Sequence, residues 1–161
     1  LEETIMYDTA KDLLDAFRAT PDILDALLEG CTEERARAAR GGDEGWSIVE
    51  VMCHMRDAEE RALERMRVIR DEREPFIAGY DQDAWAIERN YAGDNLREAY
   101  AAFKRFREQH IADLAGLSPE DWERAGEHQE YGHVTITSHT THMAAHDAAH
   151  AAQIARQLRQ A

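Results

Sequence analysis

The chain has 161 residues, enough for a domain with a buried core, and 33 Asp and Glu against 19 Lys and Arg give it a net charge of -14. Such a chain repels phosphate backbones and anionic lipid, which argues against nucleic acid and membrane surfaces as partners. Its 27 alanines, against four valines and nine isoleucines, favour helix and exclude an all-β sandwich, because alanine loses least on entering a helix.

The first helical segment carries Met6, Ala10, Leu13, Leu14, Phe17, Leu24, Leu27 and Leu28 on one face. Pro21 is expected to kink it or to divide it into two abutting helices. A short link around Gly41, Gly42 and Gly45 leads to the second helix, which opens at Ser47 with a capping box to Glu50. Its apolar stripe is Ile48, Val51, Met52, Met55, Ala58, Ala62, Met66 and Ile69. About twenty residues follow before the next long helix, with Pro75, Gly79 and a short helix from Asp83 to Arg89. A link that long can cross the bundle, so the second and third helices need not be antiparallel. The third starts near Asp94 or Asn95 and buries Leu96, Ala99, Tyr100, Phe103, Phe106, His110 and Leu114. Ser118-Pro119-Glu120-Asp121 starts another short helix, with proline at its first position. Residues 126–134 read as loop, and the fourth helix runs from near Thr135 through Gln157. The expectation is an all-α chain, one four-helix bundle over residues 1–161, with two long crossovers carrying short helices.

Two cysteines, Cys31 and Cys53, are too few for a disulfide scaffold and fit a reducing compartment. No apolar run approaches the ~18 residues of a membrane span, and no signal-peptide pattern is visible, so a cytoplasmic location is expected.

Histidine is the unusual residue: there are eight, five of them between positions 128 and 146. At about 100° per residue, His139, His142, His146, His150, Gln153 and Gln157 share an arc of roughly 80° on the fourth helix. Alanines fill the other side, and Asp147 is the only formally charged side chain from Tyr131 to Gln153. A helix so poor in charge is expected to be buried on most sides, with its histidines facing the interior or a cleft. Histidines at i and i+4 can reach one divalent ion, and both His142/His146 and His146/His150 have that spacing. A third ligand has to come from another helix, and His54, at the edge of the second helix's stripe, is the candidate. Three imidazoles leave room for water, as catalytic rather than structural sites do. His110 reads as a hydrogen-bonded core residue, His128, His133 and His139 as loop or rim, and Cys53 as a buried, inert thiol. No His-Glu-x-x-His string is present, the only Glu-x-x-His (Glu130 to His133) falls in the loop, and no phosphate loop or dinucleotide fingerprint appears. The competing function class is a non-catalytic bundle with a structural histidine stripe that dimerises or binds a small ligand.

The string Trp46-Ser47-x-x-Glu50-x-x-x-His54, within Gly45 to Glu59, combines with Asp81 to Trp85 and with His146-x-x-x-His150-x-x-Gln153-Ile154. Together these stretches resemble the DinB/YfiT-like superfamily of candidate metalloenzymes, especially its DinB-2-type branch. The resemblance covers nearly the whole chain in length and order. It implies up-down-down-up helix order and one divalent ion on His54, His146 and His150. His142 then becomes a pocket residue, with Gln153 beside the ligand pair. Zinc, nickel and iron all suit imidazole. The resemblance further implies a homodimer and a small-molecule substrate, handled by hydrolysis or by transfer to or from a low-molecular-weight thiol. Glu50 and Asp57, one turn either side of His54, are candidates to orient a ligand or move a proton. For Glu50 the capping box is the stronger reading, and for Asp57 a surface charge. Trp85, Tyr80 and Tyr91 either cover the metal or, the reading favoured, anchor their crossover to the bundle.

Overall fold

The computed structural model describes residues 7–160, so Met6 lies outside the described residues. In chain order the elements are α1 (Thr9–Leu28), α2 (Glu33–Ala38), β1 (Arg40–Gly41), β2 (Trp46–Ser47), α3 (Ile48–Asp71) and β3 (Phe76–Ile77). They continue with α4 (Gln82–Glu88), a 3-10 turn (Tyr91–Gly93), α5 (Leu96–Ala115), α6 (Pro119–Trp122), β4 (Ala125–His128), β5 (Gly132–Thr135) and α7 (Ile136–Gln160).

Helices α1, α3, α5 and α7 form the bundle, and side-chain contacts fix their directions. Arg107 reaches the Phe17 carbonyl while Tyr100 reaches Pro21, so α1 and α5 are antiparallel. Arg56 pairs with Asp94, just ahead of α5, and Arg67 with Asp113 near its end, so α3 and α5 run the same way. His54 meets His146 whereas the Ala62 carbonyl meets His139, so α7 runs against α3. The order is therefore up-down-down-up, and the long link between α3 and α5 is the crossover that a parallel pair requires.

Two apolar clusters fill the interior, one around Phe17, Leu63, Met66, Ile69, Leu114 and Ile136, the other around Trp46, Val49, Met52, Met55, Phe103 and Ile154. Burying each such side chain fully contributes ~1.5–3 kcal/mol. One buried polar network joins all four long helices. The Arg107 guanidinium donates to both Glu59 oxygens, at 2.9 and 2.7 Å, and to Asp147 at 2.7 Å. His110 Nδ1 meets Glu59 at 2.8 Å, and Thr20 donates to Asp147 at 3.0 Å. His110 is thus a hydrogen-bonded core residue, as expected.

Of the two outcomes expected at Pro21, a kink or a division, division does not occur: α1 is a single helix through the proline. Proline removes the N–H that would serve the Phe17 carbonyl four residues back, and Arg107 Nη1 donates to that carbonyl instead, at 3.2 Å. The link before α3 is likewise more than a glycine turn: it holds α2, capped by Thr32, and the antiparallel pair β1–β2. Residues 126–134 are not loop either. They form most of the β4–β5 hairpin, which β3 joins in parallel with Ile77 opposite His128. Gly126 permits that pairing, because a Cβ there would stand 2.8 Å from the Pro75 carbonyl, and Gly132, at φ +70°, shapes the turn. The capping box at Ser47–Glu50 forms as the sequence predicts, and the short helix expected at Ser118-Pro119 carries a second one, Ser118–Asp121. Among the described residues, no helix is long and apolar enough to cross a membrane.

Candidate metal centre

His54 projects from the second turn of α3 and His146 and His150 from α7, one turn apart. One ring nitrogen from each lies within 4.8 Å of the other two. His54 Nε2 and His146 Nε2 are 2.9 Å apart, and the three ring centroids are separated by 4.9, 4.8 and 4.4 Å. Burial, reinforced by the neighbouring imidazoles, pushes His54 down to about 4 and His146 down to about 2. Burial lowers His150 as well, against a hydrogen bond to Gln153 that raises it. Near neutral pH the cluster therefore consists of three uncharged imidazoles with converging lone pairs. Facing nitrogens at 2.9 Å need a proton or a cation between them, and the donor set suits a divalent ion of the zinc, nickel or iron kind.

The surrounding chain holds these rings in place. Gln153 Oε1 accepts from His150 Nδ1 at 2.9 Å, which leaves Nε2 as that ring's lone-pair nitrogen. Gln153 lies close against Gly42, where a Cβ would stand 2.6 Å from its Nε2. One turn on, Gln157 Nε2 donates to the Ala39 and Trp46 carbonyls at 2.8 and 3.1 Å and touches Gly41. The glycine pair thus lets β1–β2 close against α7, and it sets the Trp46 ring 5.3 Å from His54. Trp46 and Gln157 stood in the motif and on the histidine arc, but the contacts that tie them to the site were not read from sequence; the Gly41-Gly42 doublet was the available signal.

A cavity of about 520 Å³ opens from His54 and His146 and runs toward the β4–β5 hairpin. His142 stands on its wall, exposed and with its ring 6.5 Å from that of His146. His128 and His139, expected in loop or at a rim, are buried within the wall, while His133 is exposed at it. The hairpin swings His128 inward, and His139 belongs to the buried arc of α7. Tyr80 lines the cavity, but Trp85 does not. It packs on Tyr80 at 4.6 Å beneath the Arg61 and Arg89 guanidinium groups, the anchoring role favoured from sequence.

Glu50 serves the capping box, accepting from the Ser47 N–H and from Arg40 at 3.2 Å each. Asp57 is not a surface charge: it is 1% exposed. Its oxygens accept from Arg56 at 2.8 Å and from Tyr91 at 2.5 Å, and the Arg89 guanidinium forms an ion pair with it at 3.1 Å. Tyr91 is buried by that bond and by edge contact with Trp46, and so pins the crossover beside the centre. Cys53 is fully buried, and burial pushes its thiol up to about 12, an inert group.

Fold and site together define a class: an up-down-down-up helical bundle with an imidazole cluster between two antiparallel helices and a cavity leading to it. The chain belongs to the DinB superfamily, whose sequence profile matches residues 16–154. A protein of Oceanobacillus iheyensis, named as a candidate metal-dependent hydrolase, is 28% identical over 110 residues, 68% of this chain and 63% of that protein. Another so named, from Geobacillus thermodenitrificans, is 29% identical over 79 residues, 49% of this chain and 44% of that protein. These matches span less than two thirds of either relative's length. YfiT from Bacillus subtilis, described with its structure as a probable metal-dependent hydrolase with an unusual four-helix bundle topology, aligns at a TM-score of 0.87 and 20% identity. That alignment covers 99% of this chain and 91% of YfiT, and it shows a shared fold.

Proposed function

We propose that this chain is a metal-dependent hydrolase of a small molecule, with one divalent ion held by His54, His146 and His150. The convergence of three uncharged ring nitrogens from two helices within 4.8 Å carries the reading. An ion on three neutral ligands keeps its full charge and lowers the pKa of water or a thiol bound to it, supplying a nucleophile near neutral pH.

The chain's own residues supply the rest. Gln153 orients His150 through Nδ1, and Trp46 excludes water from one side of the cluster. His142 stands over the cavity and takes part in none of the hydrogen bonds found among the described residues, so its ring nitrogens are free. In this reading it accepts the proton of the attacking water and returns it to the leaving group. Glu50 and Asp57 are set aside for that role because neither lines the cavity, and their carboxylates pair with Ser47, Arg40, Arg56, Arg89 and Tyr91. They position the start of α3 and the crossover instead. A cavity of about 520 Å³ is the size of a small-molecule site.

Hydrolysis is preferred to thiol transfer because two relatives bear the name of hydrolases. Protein purified without a histidine tag and loaded with zinc or nickel should hydrolyse members of an ester and amide panel without added thiol. Chelation should abolish that turnover. Turnover that appears only with a low-molecular-weight thiol would replace this reading with a transferase, and a fully loaded protein inactive in both screens would favour the non-catalytic bundle.

A further inference from the structure

The far end of the cavity carries its own chemistry, centred on Arg65. Eleven residues beyond His54 on α3, Arg65 returns to the same helix face after about three turns, with Ala58 and Ala62 between them leaving the cavity open. It is the only Lys or Arg on the cavity wall among the described residues. Neighbouring arginines of the helix pair with carboxylates: Arg61 with Glu64, Arg67 with Asp113 and Arg70 with Asp71. Arg65 instead spends one donor on the Ala78 carbonyl, at 2.8 Å, and no carboxylate lies within ion-pair distance among the described residues. Burial lowers its pKa, and the more distant Glu130 carboxylate offsets this only in part, as expected of a cation without a carboxylate in direct contact.

A second donor stands beside it. His128 Nδ1 accepts from the backbone N–H groups of Glu130 and Tyr131, at 3.1 and 3.4 Å. The ring proton therefore sits on Nε2, and that N–H is buried without a partner. Unsatisfied buried donors are uncommon and costly, ~1–3 kcal/mol each, so this one calls for an acceptor. Both residues line the same cavity, and the Arg65 charge adds to burial in lowering His128.

We infer that Arg65 and His128 bind the carboxylate of the substrate, so that the molecule hydrolysed is a small carboxylic acid with its scissile bond at the histidine cluster. The role of the cluster end rests on the hydrolase reading; carboxylate binding at Arg65 does not. One guanidinium and one neutral N–H match a single negative charge. Glu130 on the same wall and the net charge of -14 oppose a second, which disfavours a phosphate dianion. Eleven residues span roughly 16 Å of helix, and the arginine side chain leans back toward the helix N-terminus. The acid group and the scissile bond are therefore separated by a spacer of several bonds.

Calorimetric titration with hexanoate, hexanamide and hexyl phosphate tests this, on metal-loaded and on chelator-treated protein. Hexanoate should bind both forms, at least about tenfold more tightly than hexanamide. Arg65→Gln should remove that preference, and Arg65→Lys should restore part of it. Should Arg65→Gln fail to fold, His128→Phe, which keeps an aromatic ring against Tyr131 but has no donor, should show the reduced preference. Equal binding of hexanoate and hexanamide, or a preference that survives these substitutions, would overturn the inference. So would loss of hexanoate binding on chelation, which would place the acid on the ion, or tighter binding of hexyl phosphate. A protein that takes up no metal yet binds hexanoate through Arg65 would refute the hydrolase reading alone.

Discussion

Gln153 accepts from Nδ1 of His150 and so decides which nitrogen that ring presents, a role separable from ligation itself. Gln153→Ala should weaken metal affinity by about 10–100-fold without abolishing stoichiometric loading. Competition with a chromophoric chelator measures this, and an unchanged affinity would contradict it. His142→Ala should retain its metal and lose most hydrolytic turnover, about 10²–10⁴-fold for a general acid–base group. Loss of metal from that variant would instead make His142 and His146 the ligand pair. The cluster was legible in the sequence because i,i+4 spacing on one helix survives into any packing. Only the choice between the two overlapping pairs needed more, and the structure brings His54 to His146 and His150. Asp57 was misread because its partners Tyr91, which is buried, and Arg89 arrive from the crossover, at a sequence distance that no local pattern records. Arg65 and His128 were overlooked for the same reason: an arginine on a charged helix and a histidine in an apparent loop mean nothing until β3, β4 and β5 fold over α3.

The four long helices, the capping box that opens α3 and the short helices of both crossovers could be read directly, since each rests on local periodicity and local hydrogen bonds. The strands could not. Units of two to four residues have no measurable alternation, and glycines that permit close approach look like glycines of a turn. Pro21 also looked like a break, because its compensation comes from Arg107 on another helix. Arg107→Ala should therefore cost ~3–5 kcal/mol in urea unfolding, since Glu59 and Asp147 would remain buried without their cation. A loss below about 1 kcal/mol would show that water enters and replaces it. The buried arc of α7 has a pH signature as well. Burial first, then the His110 and Arg65 charges, lowers His139 from its ordinary 6.5 to about 3. The unfolded chain therefore binds a proton at His139 more readily than the folded one between those values. Stability from this source is complete above about pH 6.5 and falls as pH drops toward 3. Although burial alone would raise the Glu59 carboxyl, Arg107 and His110 hold it down at about 2, so its own loss begins only below its ordinary 4.5. Urea midpoints measured between pH 7 and 5 should fall less in His139→Gln than in the parent, and identical slopes would contradict the assignment.

At the scale of the whole molecule, α7 divides its two sides between different tasks. Its histidine arc faces the bundle and the cavity, whereas Ala145, Ala148, Ala149 and Ala152 are exposed, contrary to the expectation of a helix buried on most sides. Alanine serves helix propensity wherever it stands, so composition alone could not tell a solvent face from an interior one. Small side chains would let a second copy approach closely there, and a homodimer through this face remains the expected assembly. Light scattering at micromolar concentration should give twice the chain mass, and a monomer mass would remove that expectation. The proposed hydrolysis depends on one ion on three imidazoles. Elemental analysis of tag-free protein, reconstituted with zinc or nickel and desalted, tests that most directly. It should find about one equivalent of metal per chain, falling to background in each of His54→Ala, His146→Ala and His150→Ala, since a tripod reduced to two imidazoles loses a bond and its geometry. Well under half an equivalent in the parent protein, or full occupancy in any of the three variants, would contradict the three-histidine centre.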